Sequence, residues 1–188
     1  TLTAAMLRSV DTTAETGELT GGAMKLYQHA ANYQTPGSQW QAAIDSGKWQ
    51  WVVLQDQSQV PSFRTWESMF VSSKNGAVAL TKAVRAKGGQ TVFFMTWGRR
   101  DGDAQNAWRS PDFLSHQGHL ADGYKVYAAA CATADRPVWI APVGLAFKHI
   151  HQAIARSGGV PTAAGSAFHS LYSGDGSHPS LSGSYLAT

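Results

Sequence analysis

A single α/β domain built on a parallel sheet is the fold this sequence predicts, and three observations predict it. Three short apolar runs, Trp51-Val52-Val53-Leu54, Thr91-Val92-Phe93-Phe94-Met95 and Pro137-Val138-Trp139-Ile140, are continuous instead of alternating, which is the pattern of strands buried on both faces. Longer stretches with helical spacing separate them. The chain has 188 residues with 43% hydrophobic content, enough for one substantial core and too short to require a second. Right-handed strand–helix–strand crossovers then lay the strands parallel and cover the sheet with helices on both sides. No repeat, linker or low-complexity tract interrupts residues 1–188, so one domain is expected to span them.

Near the start, Ala4 to Val10 and Ala23 to Tyr33 read as helices, with room between them for a short strand that no pattern fixes. After the first strand, Phe70 to Lys87 places Ala77, Leu80 and Val84 at helical spacing, and Gly88-Gly89 stops it. A second long helix runs from Pro111 or Asp112 to about Ala134, and a third from about Leu145 to Arg156 before Gly158-Gly159. The chain opens on Thr1-Leu2-Thr3 without an initiator methionine and stops at Tyr185-Leu186-Ala187-Thr188 in a helical pattern. Both ends are therefore expected to belong to a longer polypeptide.

Composition excludes several classes. Seven tryptophans and nineteen glycines suit a folded chain with many turns and argue against disorder. A net charge of +3 is scattered, with no basic run longer than Arg99-Arg100, so a nucleic-acid surface is not expected. No segment reaches the ~18 consecutive apolar residues of a membrane span, so none is expected, and the opening residues do not read as a signal peptide. The one cysteine, Cys131, follows Tyr127-Ala128-Ala129-Ala130 and reads as a buried, inert thiol. With no internal disulfide possible, cysteine usage leaves the compartment open.

In parallel α/β folds, ligands bind beyond the carboxyl ends of the strands. The first such exit carries Gln55-Asp56-Gln57-Ser58-Gln59, five polar residues that must be exposed, mutually bonded or turned toward a ligand. An amide such as Gln57 can donate to a developing oxyanion without titrating. The second exit, Thr96-Trp97-Gly98-Arg99-Arg100-Asp101-Gly102-Asp103, offers a tryptophan wall and charges that either pair within the loop or meet a substrate. The third, Ala141-Pro142-Val143-Gly144, shapes a turn. Upstream, Leu19-Thr20-Gly21-Gly22-Ala23 precedes a helix, where glycines let N–H groups face a site or simply form the entry turn.

The densest chemical signal is Asp175-Gly176-Ser177-His178-Pro179-Ser180. A histidine three residues after an aspartate supplies what acyl transfer requires: an imidazole to take a proton, and a carboxylate to fix its tautomer and stabilise the imidazolium. Other histidines carry less. His149 and His151 are two apart on a helix and diverge; His116 and His119 can share a face but lack a completing carboxylate or cysteine; His29 and His169 have no distinctive context. No metal or organic cofactor is expected. Ser58 follows a strand but lacks the Gly-x-Ser-x-Gly elbow that exposes a nucleophile.

Taken together, the Gly21-Gly22 block, the Val53 to Gln59 strand exit, Trp97-Gly98, Pro142-Val143-Gly144 and above all Asp175-x-x-His178-Pro179-Ser180 resemble the SGNH, or GDSL-like, hydrolase superfamily, in a branch largely of unknown function. The resemblance spans nearly the whole chain. It implies a three-layer α/β/α sandwich with a flavodoxin-like parallel sheet and a serine-type esterase that removes acetyl or short acyl groups from a carbohydrate. His178 would be the base, Asp175 its orienting partner, Gly22 and Gln57 the oxyanion donors, and Gln55 and Trp97 substrate contacts. Two departures stand out: Gln55-Asp56-Gln57-Ser58 replaces the usual Gly-x-Asn-Asp, and no Gly-Asp-Ser or Gly-Asn-Ser block occurs in residues 1–188. Because the helix near Thr3 to Leu7 resembles the one that follows that block, the nucleophilic serine is expected upstream of Thr1. The rival expectation is an inactive scaffold that binds carbohydrate through Trp97, Trp108 or Trp66, or serves as a structural subunit with protein partners. A secreted or extracytoplasmic location is no more than an analogy.

Overall fold

The computed structural model of the protein describes residues 2–188, with side chains from residue 4 onward. The expected serine lies outside the described residues. Strands β1 (Trp51–Leu54), β2 (Gln90–Phe94) and β3 (Trp139–Ala141) form one parallel sheet in the order β1-β2-β3. Around them run α1 (Leu2–Val10), α2 (Leu26–Gln34), α3 (Gln39–Asp45), α4 (Ser68–Ala86), α5 (Phe113–Cys131), α6 (Val143–Arg156) and α7 (Leu181–Leu186). The α/β class and parallel pairing are those the sequence predicts.

The differences are local and have local causes. No strand forms between α1 and α2, where the chain runs through turns. The short α3 was not anticipated; Ser38 starts it by accepting from the Gln41 N–H at 3.1 Å. β3 begins at Trp139, not Pro137, since proline offers no N–H to a ladder. α5 ends at Cys131, where Thr133 and Arg136 turn the chain through an antiparallel bridge.

Strand alternation sorts the sheet into two faces. Val52, Leu54, Phe93 and Ile140 pack into a core with Leu26, Phe70, Leu80, Tyr124 and Tyr127 from α2, α4 and α5. Each such large side chain contributes about 1.5–3 kcal/mol on burial. On the opposite face Val53, Val92 and Trp139 are lateral neighbours in the register, and Trp51, Val53 and Trp139 are exposed. The strands are thus not buried on both faces as their apolar runs suggest, because among the described residues no helix packs across this side of β1.

A second, aromatic cluster sits past the strand ends. Phe113, Phe147, Phe168, Leu171 and Tyr172 are its buried members, and Trp97, Val143, Ile150 and Leu186 pack against them. This cluster carries the C-terminal loop. Two glycines permit the approach: a Cβ at Gly144 would overlap the Thr96 carbonyl oxygen, and one at Gly183 would overlap that of Leu171. Gly183 therefore lets α7 lie directly on the segment leading into Asp175 and His178.

Candidate active site

The loop from Tyr172 to Ser180 is closed at its base by an antiparallel bridge between Tyr172 and Pro179 and by the Ser180 N–H to Leu171 carbonyl bond of 2.9 Å. Within it the Asp175 carboxylate divides its work. Oδ1 accepts from the backbone N–H groups of Ser177 and His178, each at 2.9 Å, and from Ser173 Oγ at 3.0 Å. Oδ2 lies 2.5 Å from His178 Nδ1. The His178 imidazole, followed by these backbone donors, holds the Asp175 carboxyl well below the usual carboxylate range. The ionised Asp175 carboxylate accepts a hydrogen bond from His178 Nδ1–H, which leaves Nε2 as the unprotonated nitrogen. The His178 side chain is 80% exposed, so Nε2 is accessible.

Three bonds fasten this loop to the exit of β2. Trp97 Nε1 donates to the Ser177 carbonyl at 3.0 Å, the Arg100 N–H to the Gly176 carbonyl at 2.8 Å, and Tyr172 OH to the Gly98 carbonyl at 2.6 Å. Trp97 also stacks on Phe147, centroids 5.1 Å apart and planes inclined 15°. Its polar end and one ring face are therefore committed to holding the Asp175–His178 loop.

The exit of β1 is organised differently. Gln57 is half-buried, and its amide is locked to Gln59: Oε1 accepts from the Gln59 N–H at 2.9 Å, and Nε2 donates to Gln59 Oε1 at 3.1 Å. Gln59 in turn donates to both Asp103 oxygens at 2.9 Å. Asp103 is fully buried and also accepts from Arg99 Nη1 and Asn106 Nδ2, each at 2.7 Å. Burial pushes the Asp103 carboxyl up, but Gln59, Asn106 and the Arg99 charge outweigh it and hold it below its ordinary value. The chain Gln57–Gln59–Asp103–Arg99 thereby joins the two strand exits. The charges of the second exit pair within the loop, and Arg100 completes the pattern by bonding Asp101 at 2.8 Å.

Asp56, which sequence reasoning passed over, is the anchor of the first exit. It is buried and accepts from the Leu26 N–H at 3.1 Å, the Gln57 N–H at 2.9 Å, Tyr127 OH at 2.9 Å and Ser73 Oγ at 3.3 Å. Burial raises its pKa against the pull of these donors. Its bond to Leu26, the first residue of α2, also ties the Gly21-Gly22 turn to the end of β1. The signal was present: a carboxylate directly after a buried strand must find partners.

Gly22 is exposed in a turn that places Ala23 at φ 57°, and a side chain at Gly22 would meet nothing within 4 Å. Packing alone does not demand glycine there. Gln55 is exposed at the mouth of the first exit. The structure thus brings Asp175 and His178 into direct contact and links Gln57 through Gln59 and Asp103 to Arg99 of the exit that also carries their loop, whereas among the described residues no hydrogen bond joins Gly22 or Gln55 to the pair.

Four of the other histidines take structural positions. His116 is buried, accepts from the Arg99 N–H at 3.2 Å, and is pushed down to about 4 by burial. His151 stacks on Phe113 and meets Phe168 edge-on. His119 shares a 3.3 Å bond with Ser110 Oγ, and His169 one of 3.1 Å with Arg100. Burial raises the pKa of the Cys131 thiol, as an inert core cysteine requires. Among the described residues no three His, Cys, Asp or Glu side chains converge as metal ligands, and no helix is long and apolar enough to cross a membrane.

The scaffold is a parallel α/β sheet with an aspartate–histidine pair beside its strand exits. No family model matches the sequence, and no curated protein does. Among solved structures, one provisionally described as an SGNH hydrolase, from Slackia heliotrinireducens, is similar at 29% identity, with a TM-score of 0.68, over 97% of this chain and 85% of its own. A DUF4886 family protein from Bacteroides uniformis shares the fold at 16% identity and a TM-score of 0.64, over 89% of this chain and 65% of its own. In sequence and fold the chain is thus similar to an SGNH-type hydrolase structure and shares the fold of a DUF4886 protein.

Proposed function

We propose that the protein is a serine-type ester hydrolase that removes acetyl or short acyl groups from a carbohydrate. The observation that carries this reading is the Asp175–His178 pair, bonded at 2.5 Å with Nε2 left accessible. His178 Nε2 takes the proton of a serine hydroxyl as its oxygen attacks the ester carbonyl carbon. The oxyanion that forms is met by the Gly22 N–H and by the Gln57 amide, one of whose two hydrogens is already given to Gln59 and the other remains to donate. Collapse of the intermediate expels the alcohol, which receives the proton from His178. Water then attacks the acyl-serine with His178 again as base. Gln55 and Trp97 flank the leaving sugar.

Our reading puts the serine in a strand before Thr1, and it is supported by β1 having no second strand neighbour among the described residues and by the exposure of Trp51 and Val53 on it. The test is hydrolysis of acetylated xylan and of a p-nitrophenyl ester by the protein carrying its upstream residues, with and without His178→Ala, alongside labelling by a fluorophosphonate probe. Labelling at a serine and loss of turnover in the variant are expected. Undiminished turnover in His178→Ala overturns the assignment. A second reading, an inactive scaffold that binds sugar, is favoured by the exposure of Trp66 and Trp108; sugar binding without any covalent labelling would select it.

A further inference from the structure

A cavity of about 180 Å³ opens between the 63–66 loop and α5, and none of its lining residues belongs to the proposed catalytic set. Its walls come from two strand exits. Of its lining, Arg64 and Trp66 follow β1 and Arg109 follows β2; Trp108, the residue before Arg109, meets Arg64 beside the cavity. The Arg64 guanidinium carbon lies 4.6 Å from the Trp108 ring centroid and 5.5 Å from that of Trp66. Single exposed apolar residues need no explanation. Here two indoles from separate loops, 72% and 65% exposed, converge on one arginine.

Two cations, Arg64 and Arg109, share the cleft with one carboxylate of its lining, Asp122. Among the described residues neither Arg64 nor Arg109 forms an ion pair. The nearby carboxylates are engaged elsewhere: Glu67 accepts from the Arg64 backbone N–H at 3.0 Å, and Asp122 from Lys125 Nζ at 3.1 Å. Arg109 is fixed by donating Nε to the Ser62 carbonyl at 2.7 Å. Burial first, and then the Arg64 charge, push the Arg109 pKa down. The result is a ring-sized cleft with an indole wall and two guanidinium groups that form no ion pair among the described residues.

We propose that this cleft binds an acidic sugar residue, its pyranose ring stacked on the indoles of Trp66 and Trp108 and its carboxylate paired with Arg64 and Arg109. The C–H face of a pyranose matches an indole, and a guanidinium matches a carboxylate through paired hydrogen bonds. A single-stranded nucleic acid would use the same two contacts, but it also needs a track of free cations along its backbone. The longest basic run offers none, since Arg99 is paired with Asp103 and Arg100 with Asp101. The inference goes beyond ester hydrolysis and requires no nucleophile.

The test is titration of the protein with trisaccharides of galacturonate and of glucuronate, with the neutral trisaccharides of the same linkage, and with an oligothymidylate of equal charge, read by tryptophan fluorescence. At least one acidic trisaccharide is expected to bind at least about fivefold more tightly than its neutral counterpart, and Trp108→Ala and Arg64→Gln each to weaken it about tenfold or more. His178→Ala should bind as the native protein does, so this result stands or falls separately from the hydrolase reading. Equal binding of acidic and neutral sugars, tighter binding of the oligothymidylate, or no binding of either acid at millimolar concentration overturns the proposal. So does loss of binding in His178→Ala, which would move the sugar to the Asp175–His178 site. Should Trp108→Ala fail to fold, the surface substitutions Trp66→Ala and Arg64→Gln keep the test in force.

Discussion

Asp175 and Asp56 each receive several hydrogen bonds beside a strand exit, yet their surroundings drive them in opposite directions. Asp175 is exposed, and its contacts with His178, Ser177 and Ser173 lower its pKa. Asp56 is buried beneath Tyr124 and Tyr127, and desolvation raises its pKa despite four donors. The comparison separates two uses of one side chain. An aspartate that must hold a basic histidine stays ionised by sitting in water near its partner, whereas one that must hold backbone in place is sealed among hydroxyl and amide groups.

The sharpest way to break the comparison is to change each acid in turn. Asp175→Asn, in the protein carrying its upstream residues, should lower kcat/KM by ~10³–10⁴, because the wrong imidazole tautomer is then favoured, while thermal melting stays close to native. A large loss of melting temperature with turnover intact would reverse the roles. Asp56→Ala should do the converse: it orphans the Leu26 and Gln57 N–H groups, Tyr127 OH and Ser73 Oγ together, and a denaturation curve should show a loss of about 3–5 kcal/mol. Gln57→Ala tests the oxyanion assignment and should reduce kcat by ~10² with little change in KM. An unchanged kcat would restrict Gln57 to bracing Gln59.

A smaller effect extends the contrast to His116. Its folded pKa, about 4, lies below the unfolded value of 6.5, so the unfolded chain takes up the proton more readily. Its contribution to stability is present above pH 6.5 and is lost as the pH falls toward 4. Between pH 7 and 4.5 the loss should be on the order of 2–3 kcal/mol, with His116→Gln flattening that slope in pH-dependent melts. A slope unaltered in the variant would assign the acid sensitivity to other groups.

The strands, the Gly88-Gly89 helix stop and the Asp175–His178 pairing were legible because each is written in neighbouring residues. Asp175 and His178 are three apart, and one turn brings them together. The anchors were not legible. Tyr127 reaches Asp56 across 71 residues and Gln59 reaches Asp103 across 44, so only the folded sheet and helices bring these partners together. Trp97 shows a third case. Sequence placed it at a strand exit, where a ligand wall is a fair reading, but its indole N–H is spent on the Ser177 carbonyl. The exposure of Trp51, Val53 and Trp139 escaped the reading for a related reason: an apolar run reports what a strand can bury, not what lies across from it.

Gly183 turns the last helix into a rudder for the histidine. Because a bare Cα lets α7 rest on the Leu171 carbonyl, the segment from Leu171 to Ser180 inherits its bearing from a helix that meets no reactant. Gln55 and the other exposed exit residues can vary without disturbing the core, whereas even a single methyl group at position 183 would push α7 off the Leu171 carbonyl. Change is thus free to accumulate at the exposed strand exits, while the bearing of the Asp175–His178 loop is set from the far end of the chain.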